Sequence, residues 1–250
     1  MPAIRILIVK TGSAPDAICR KFEDFDAWFV RALPSRHFSP EIISVDKGQA
    51  LPNHLSDPAP DGVLVTGSPA MVSHRQAWSE RTADWLRQMH AREAPILGVC
   101  YGHQLLAHAL GGRVGPNPHG RRIGTFAIKV TALEDPLLRV ADDHMPVHST
   151  HVEAVLDPPD GARVIATAQG DAHHALYFGA QTWGVQFHPE FNADIMRAYI
   201  RERCALIDAE GLDSNELFDQ VVDAPLGDRL LARFANLCYQ HRTTTHAIGA

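Results

Sequence analysis

The stretch Pro95-Ile96-Leu97-Gly98-Val99-Cys100-Tyr101-Gly102-His103-Gln104 decides how this chain is read. Ile96 to Val99 is a short apolar run with strand character. A Gly-x-Cys-x-Gly turn follows, and Leu105 to Leu110 continues it as part of a helix that Gly111-Gly112 terminates. A strand running through such a turn into a helix is the layout of a nucleophile elbow, with cysteine in place of serine. The turn is sharp and its backbone closely packed, so small residues are needed two before and two after the nucleophile. Cys100 is thereby lifted above the carboxyl edge of the sheet, where open α/β sheets bind ligands. A helix N-terminus there favours the thiolate and offers free N–H groups to an oxyanion. Taken alone, the segment also suits a buried cysteine whose glycines serve only packing.

Towards the N-terminus the chain alternates strand and helix. Ile4 to Val9 reads as a buried strand and Thr11-Gly12-Ser13 as a loop. Phe22, Phe25, Phe29 and Leu33, with Trp28, recur at the spacing of one helix that Pro34 ends. Glu41 to Val45 is a second strand, Leu51 to Gly62 a connection, and Val63-Leu64-Val65 a third strand. Trp78 to Met89 is an amphipathic helix stopped by Pro95. This alternation predicts a parallel sheet with helices on both faces. Beyond Gly112, segments 123–130, 145–148, 163–168, 175–179 and 182–188 are short and strand-like, separated by turns such as Asp157-Pro158-Pro159-Asp160-Gly161. They predict antiparallel or mixed sheet. Asn192 to Tyr239 is helical again, and Thr243 to Ala250 reads as a frayed tail. The expected architecture is one three-layer α/β domain over 1–250, with a mostly parallel central sheet, flanking helices and a small antiparallel or mixed sheet. Its core spans about 4–191 and a helical extension 192–242.

Bulk properties narrow the function. Of 250 residues, 45% are hydrophobic and 21% charged, ordinary for a protein with a real core, and the net charge of −6 leaves no electrostatic footprint for nucleic acid or an anionic membrane. The four cysteines, Cys19, Cys100, Cys204 and Cys238, form no C-x-x-C pair, which fits reduced thiols. The N-terminus has no signal-peptide pattern and the chain no apolar span of ~20 residues, so a cytoplasmic location is expected.

A second segment, Thr182-Trp183-Gly184-Val185-Gln186-Phe187-His188-Pro189-Glu190-Phe191, supplies the partners of the cysteine. Val185 and Phe187 alternate with Gln186 and His188 as in a strand. Pro189 holds His188 extended and ends strand pairing. His188 and Glu190, two residues apart, can face one side, where the carboxylate would orient the imidazole. Most of the fifteen histidines are expected to be ordinary satisfied polar residues. His173-His174 is a possible metal pair by its residue types but is expected in a surface loop, since no ligand set with metal-site spacing accompanies it. No metal or cofactor is expected.

At these two segments the sequence resembles the class I, triad-type glutamine amidotransferases, especially the amidotransferase portion of GMP synthase and its free-standing relatives. Two further segments fit. Val63-Leu64-Val65-Thr66-Gly67-Ser68-Pro69 matches the family's oxyanion strand, which usually ends Gly-Gly-Pro. Ser149-Thr150-His151-Val152-Glu153-Ala154-Val155 matches its glutamine-holding turn, often Ser-His-x-Asp. The resemblance covers roughly residues 4 to 191. It implies a flavodoxin-like fold and hydrolysis of the glutamine side-chain amide to glutamate and ammonia through a cysteine thioester. Cys100 would be the nucleophile, His188 the base and then the acid, and Glu190 the group that orients His188. Backbone amides near Gly67 and Ser68 and at Tyr101 would form the oxyanion hole. Gln104 would hold the α-amino acid end of the substrate, and backbone groups around His151, Val152 and Glu153 the α-carboxylate. Ser68 in place of the second glycine, and Glu153 in place of aspartate, are departures that bear on substrate contacts.

The resemblance also bears on partners. Residues 192–250 carry no Gly-rich phosphate-binding loop, so activation of an ammonia acceptor is expected from a separate ATP-dependent synthetase subunit. The alternatives are a stand-alone γ-glutamyl peptide or amide hydrolase and a non-catalytic binding relative. The substrate is L-glutamine or another γ-glutamyl compound, and the reading allows a homodimer.

Overall fold

In the computed structural model, which describes residues 3–33, 38–53 and 59–248, the strand β1 (Ile4–Lys10) lies inside a parallel array. β2 (Phe38–Ser44) and β3 (Gly62–Val65) pair with it in parallel, one on each side. β4 (Ile96–Val99) pairs with β3, and β11 (Thr182–Val185) with β4, both parallel. The order β2-β1-β3-β4-β11 is the flavodoxin-like 2-1-3-4-5 pattern. The later strands do not build a separate layer. β10 (Asp171–Gly179), β9 (Arg163–Ala168), β6 (Arg122–Val130) and β7 (His144–His151) add antiparallel strands to the same edge, giving nine in all. A separate two-stranded sheet pairs β5 (Arg113–Pro116) with β8 (Glu153–Asp157).

Alternation along β1 distributes its side chains to two cores. Ile4, Ile6 and Ile8 face Phe29 of α2 (Phe25–Ala32) and Leu230, Leu231 and Phe234 of α8 (Leu226–Ile248). Leu7 and Val9 face Leu86 and Met89 of α3 (Ala77–Ala91) and Leu105 and Leu106 of α4 (Tyr101–Ala109). Each such aliphatic or phenyl side chain, once buried, contributes roughly 1.5–3 kcal/mol, so both sheet faces are committed to burial. A third cluster sits beside the carboxyl edge. There Ile18 of α1 (Asp16–Phe22), Phe25 and Trp28 of α2, Phe191, and Met196 and Tyr199 of α5 (Ala193–Glu202) pack together. α6 (Cys204–Ala209) and α7 (Ser214–Asp219) complete the C-terminal helices before α8.

Three expectations need correction. The Phe22–Leu33 segment is two helices, not one: Glu23 takes φ 69° and the Asp24 side chain caps the N–H of Phe25. A capping aspartate outcompetes helix continuation because it satisfies an otherwise orphan donor. Pro34 lies outside the described residues, as do residues 54–58 of the second connection. Residues 243–248 continue α8 rather than fraying. His173 and His174 lie in β10, not in a surface loop, and His174 is fully buried.

Candidate active site

The turn after β4 is built as its glycines require. Cys100 is the N-cap of α4 and has φ 51° and ψ −100°, a strained conformation for a residue with a β-carbon. A β-carbon at Gly98 would come within 2.4 Å of the Gly102 carbonyl oxygen, and one at Gly102 within 2.5 Å of the Val65 carbonyl oxygen. Strand β3, strand β4 and helix α4 can approach this closely only with both glycines present. The cysteine N–H is tied to the Val185 carbonyl at 2.8 Å, so β11 fixes the elbow from its other side. The Tyr101 N–H, in the first turn of α4, has no intrahelical acceptor.

β11 then delivers the histidine. His188 donates its backbone N–H to the His148 carbonyl (2.8 Å), and its Nδ1 meets Glu190 Oε1 at 2.7 Å. Both side chains are almost fully buried. Burial alone would lower the basicity of His188, but the charges of Glu190 and Cys100 outweigh it and raise its pKa to about 10. The Cys100 thiol is the neighbour left to the other ring nitrogen, and both groups line one cleft. The ring of Phe191, at 4.1 Å, and that of Phe25, at 6.1 Å, both lie nearly parallel to the imidazole. Its Cε1 rests against Gly67, where a β-carbon would come to 2.9 Å. A partly buried ion cluster at the end of β1 flanks Phe25: Lys10 Nζ bonds Asp24 Oδ2 at 2.6 Å and Asp26 Oδ1 at 2.5 Å.

The expected substrate contacts converge on the same cleft, which has a volume of about 230 Å3. That is below the roughly 300–1,000 Å3 of sites for drug-sized ligands and points to a small ligand. Ser68, Cys100, Tyr101, Gln104, His151, Val152, Glu153 and His188 all line it, while Gly67 lies beneath His188 and Glu190 behind it. The Ser68 hydroxyl donates to the Thr11 carbonyl at 2.7 Å and accepts from the Ala70 N–H at 3.1 Å, so the extra side chain braces the loop. Gln104 Nε2 donates to the Glu153 carbonyl (2.7 Å) and to Gln186 Oε1 (3.0 Å). His151 Nδ1 donates to that same Glu153 carbonyl at 2.8 Å. The donor groups of Gln104 therefore shape the 151–153 turn. The Glu153 carboxylate accepts from the Ser73 N–H at 3.3 Å.

Two groupings near the site were not assembled from the sequence. His151, Asp171 and His174 form a buried cluster whose ligand-type atoms lie within 4.8 Å of one another, a set that could hold a metal ion. In this structure His174 already has protein partners at both ring nitrogens, Asp171 Oδ2 at 2.8 Å and Ser149 Oγ at 3.3 Å. Despite its burial, Asp171 is held ionised, well below the usual carboxylate range, by the hydrogen bond from His174 and the neighbouring imidazoles. Tyr199 and Arg203 also line the cleft, with Arg121 and Leu206. The run Arg201-Glu202-Arg203 looks like any solvated helix face, and only the fold turns Arg203 inward.

Comparison with known proteins agrees with this geometry. The profile of the family described as Glutamine amidotransferase class-I matches residues 22–206. The chain is 35% identical over 150 residues to "GMP synthase [glutamine-hydrolyzing]" of Aeropyrum pernix, covering 60% of this chain and 28% of that protein. It is 34% identical over 149 residues to the same-named protein of Geobacillus kaustophilus, covering 57% and 28%. The chain thus spans little more than a quarter of the length of these relatives. Among solved structures, a glutamine amido transferase from Methylobacillus flagellatus superposes with a TM-score of 0.72 at 20% identity, over 96% of this chain and 95% of the other. A glutamine amidotransferase from Thermotoga maritima gives 0.71 at 20% identity, over 97% and 98%. With the profile covering well over half of its length, the chain belongs to the class I glutamine amidotransferase family.

Proposed function

We propose that the chain hydrolyses the side-chain amide of glutamine to glutamate and ammonia, and that a separate ATP-dependent synthetase uses the ammonia. The observation that carries the chemistry is Cys100, strained at a helix N-terminus, in one cleft with a histidine whose far nitrogen meets a buried carboxylate at 2.7 Å. In this reading the Cys100 thiolate attacks the γ-carbonyl carbon. The N–H groups of Ser68 and Tyr101 hold the oxyanion. The C–N bond breaks as His188 passes its proton to the leaving nitrogen, and a γ-glutamyl thioester remains. Water, activated by His188, then cleaves the thioester and returns the thiol. Glu190 fixes the tautomer and orientation of His188 throughout. The names of the GMP synthase relatives support glutamine as the amide donor. No described helix is long and apolar enough to cross a membrane, and a cytoplasmic location remains part of the proposal.

A second reading, direct hydrolysis of a larger γ-glutamyl amide without a synthetase, is favoured by one observation: an arginine that pairs with no carboxylate among the described residues lines the cleft. Both readings require Cys100. Replacing it, Cys100→Ala, is expected to reduce glutamate release by roughly 10³-fold or more, measured on the purified chain with glutamine and with γ-glutamyl amides. Turnover close to that of the unmodified protein would remove the thioester mechanism.

A further inference from the structure

Arg203 sits at the junction of α5 and α6 and is half-buried in the wall of the cleft. Its Nη1 donates to Thr150 Oγ1 at 2.8 Å, and its guanidinium lies 5.1 Å from the Tyr199 ring centroid. Among the described residues no carboxylate pairs with it. Glu202, the neighbouring residue, adds its charge without pairing, and Glu210 is engaged by Arg121 through two bonds of 2.7 and 2.9 Å. A guanidinium carries five N–H donors and no acceptor. One hydroxyl and one ring face leave most of that capacity unused. The C-terminus of α5 offsets part of the charge, but a helix end contributes only modestly. Burial, together with the charge of Arg121, lowers the basicity of Arg203, so the two cations share one wall.

Position then says what the charge faces. The groups matched to the α-amino acid end of glutamine, Gln104, Val152 and Glu153, are joined through the Glu153 carbonyl. Arg203 bonds Thr150 at the start of that turn and also reaches the histidine side through Tyr199. From His188 a stack of rings runs through Phe191 (4.1 Å) to Tyr199 (a further 4.9 Å), and Arg203 lies against Tyr199. His188 is the group that must protonate the leaving nitrogen, so this is the side on which the leaving group departs. Ammonia, the leaving group of glutamine, is too small to reach a guanidinium there and would be repelled by it if protonated.

Resting on the second reading above, in which Cys100 acts without a synthetase, we propose that Arg203 is an anion subsite for the leaving group, and that the chain acts on γ-glutamyl amides whose leaving amine carries a carboxylate: γ-glutamyl amino acids or peptides. The bond changes are those of the glutamine reaction. The Cys100 sulfur forms the thioester, the γ-carbon–nitrogen bond breaks, and the proton of His188 goes to the amine of the departing amino acid. Water then releases glutamate. No further co-reactant is needed. Leu206, which lines the same wall, offers an apolar surface to the departing side chain.

The test compares γ-glutamylglycine with γ-glutamylglycinamide, which differ only in that carboxylate. The purified full chain is expected to prefer the acid by about 10- to 100-fold in kcat/KM, the range for a hydrogen bond to a charged group. In Arg203→Gln the ratio should collapse towards one, and Arg203→Lys should restore part of it. Calorimetric binding of both compounds to the Cys100→Ala protein should show the same preference without turnover, and thermal melting confirms that each variant is folded. A ratio near one in the unmodified protein, or a ratio unchanged by Arg203→Gln, overturns the subsite. Failure of the thioester reading looks different: Cys100→Ala would keep its turnover while the binding preference stood or fell on Arg203.

Discussion

The Cε1 atom of His188 occupies the space that a β-carbon on residue 67 would need: the ideal position at Gly67 lies 2.9 Å from it. The glycine that follows β3 therefore leaves room for the histidine ring. His188 cannot retreat, because Phe191 stacks at 4.1 Å on its ring and Glu190 holds its Nδ1. Gly67→Ala should push the imidazole off its line to Cys100. Since a displacement of about 1 Å can cost on the order of 10²-fold in rate, kcat/KM for a γ-glutamyl substrate should fall by about 10- to 100-fold. The melting temperature should move far less. Steady-state kinetics beside a thermal melt separates the two, and an unchanged kcat/KM would show that the ring has room to shift.

Lys10 acts on the same imidazole at one remove. Its ammonium bridges Asp24 and Asp26, the residues on either side of Phe25, whose ring faces His188. Lys10→Met keeps much of the volume and leaves two partly buried carboxylates facing each other without a cation. Removing one partner from a fully buried pair costs roughly 3–5 kcal/mol. The aspartates here are about a fifth to a quarter exposed, so solvent screening reduces the effect. A loss of about 1–3 kcal/mol is expected in urea titration. Desolvation opposes ionisation of Asp24, but Lys10 and the N–H groups of Ala14 and Phe25 lower its pKa. A depressed carboxylate stabilises the fold above its unfolded pKa and ceases to do so as the pH falls through the folded one. Part of the acid sensitivity of the wild type should therefore vanish in Lys10→Met.

The parallel half of the sheet and the cysteine elbow were legible because they rest on local rules. Apolar runs marked β1, β3 and β4, and glycines flanked Cys100 where the backbone of its neighbours leaves no space. His188 and Glu190 were legible because two residues of extended chain set their separation. What stayed hidden depends on a local cap or on contacts made only once the sheet is folded. Phe22 to Leu33 kept a helical period across a break that only the cap of Asp24 reveals. His174 looked like loop because its partners, Asp171 and Ser149, meet it only once β10 and β7 are folded. Arg203 has no signature at all, since its inward direction is set by Thr150, 53 residues earlier in the chain.

The pairing of His188 with Glu190 makes a pH prediction whose sign can be worked out. Burial works against the imidazolium, yet the charges of Glu190 and Cys100 raise the folded pKa from 6.5 to about 10. The native state thus keeps a proton that the unfolded chain releases. The corresponding stability is complete below pH 6.5 and is lost progressively as the pH rises towards 10. Glu190→Gln removes the nearest negative charge, so the folded pKa should drop and this slope should flatten. Activity moves in the same sense. Protonation of the leaving nitrogen needs the imidazolium, so the alkaline limb of kcat/KM should shift to lower pH in Glu190→Gln. The rate at neutral pH should also fall, by about 10²- to 10⁴-fold, the range attributed to positioned proton transfer. The decisive measurement is a pH–rate profile of both proteins from pH ~6 to ~10. An alkaline limb that stays in place would mean that Glu190 orients the ring without setting its charge.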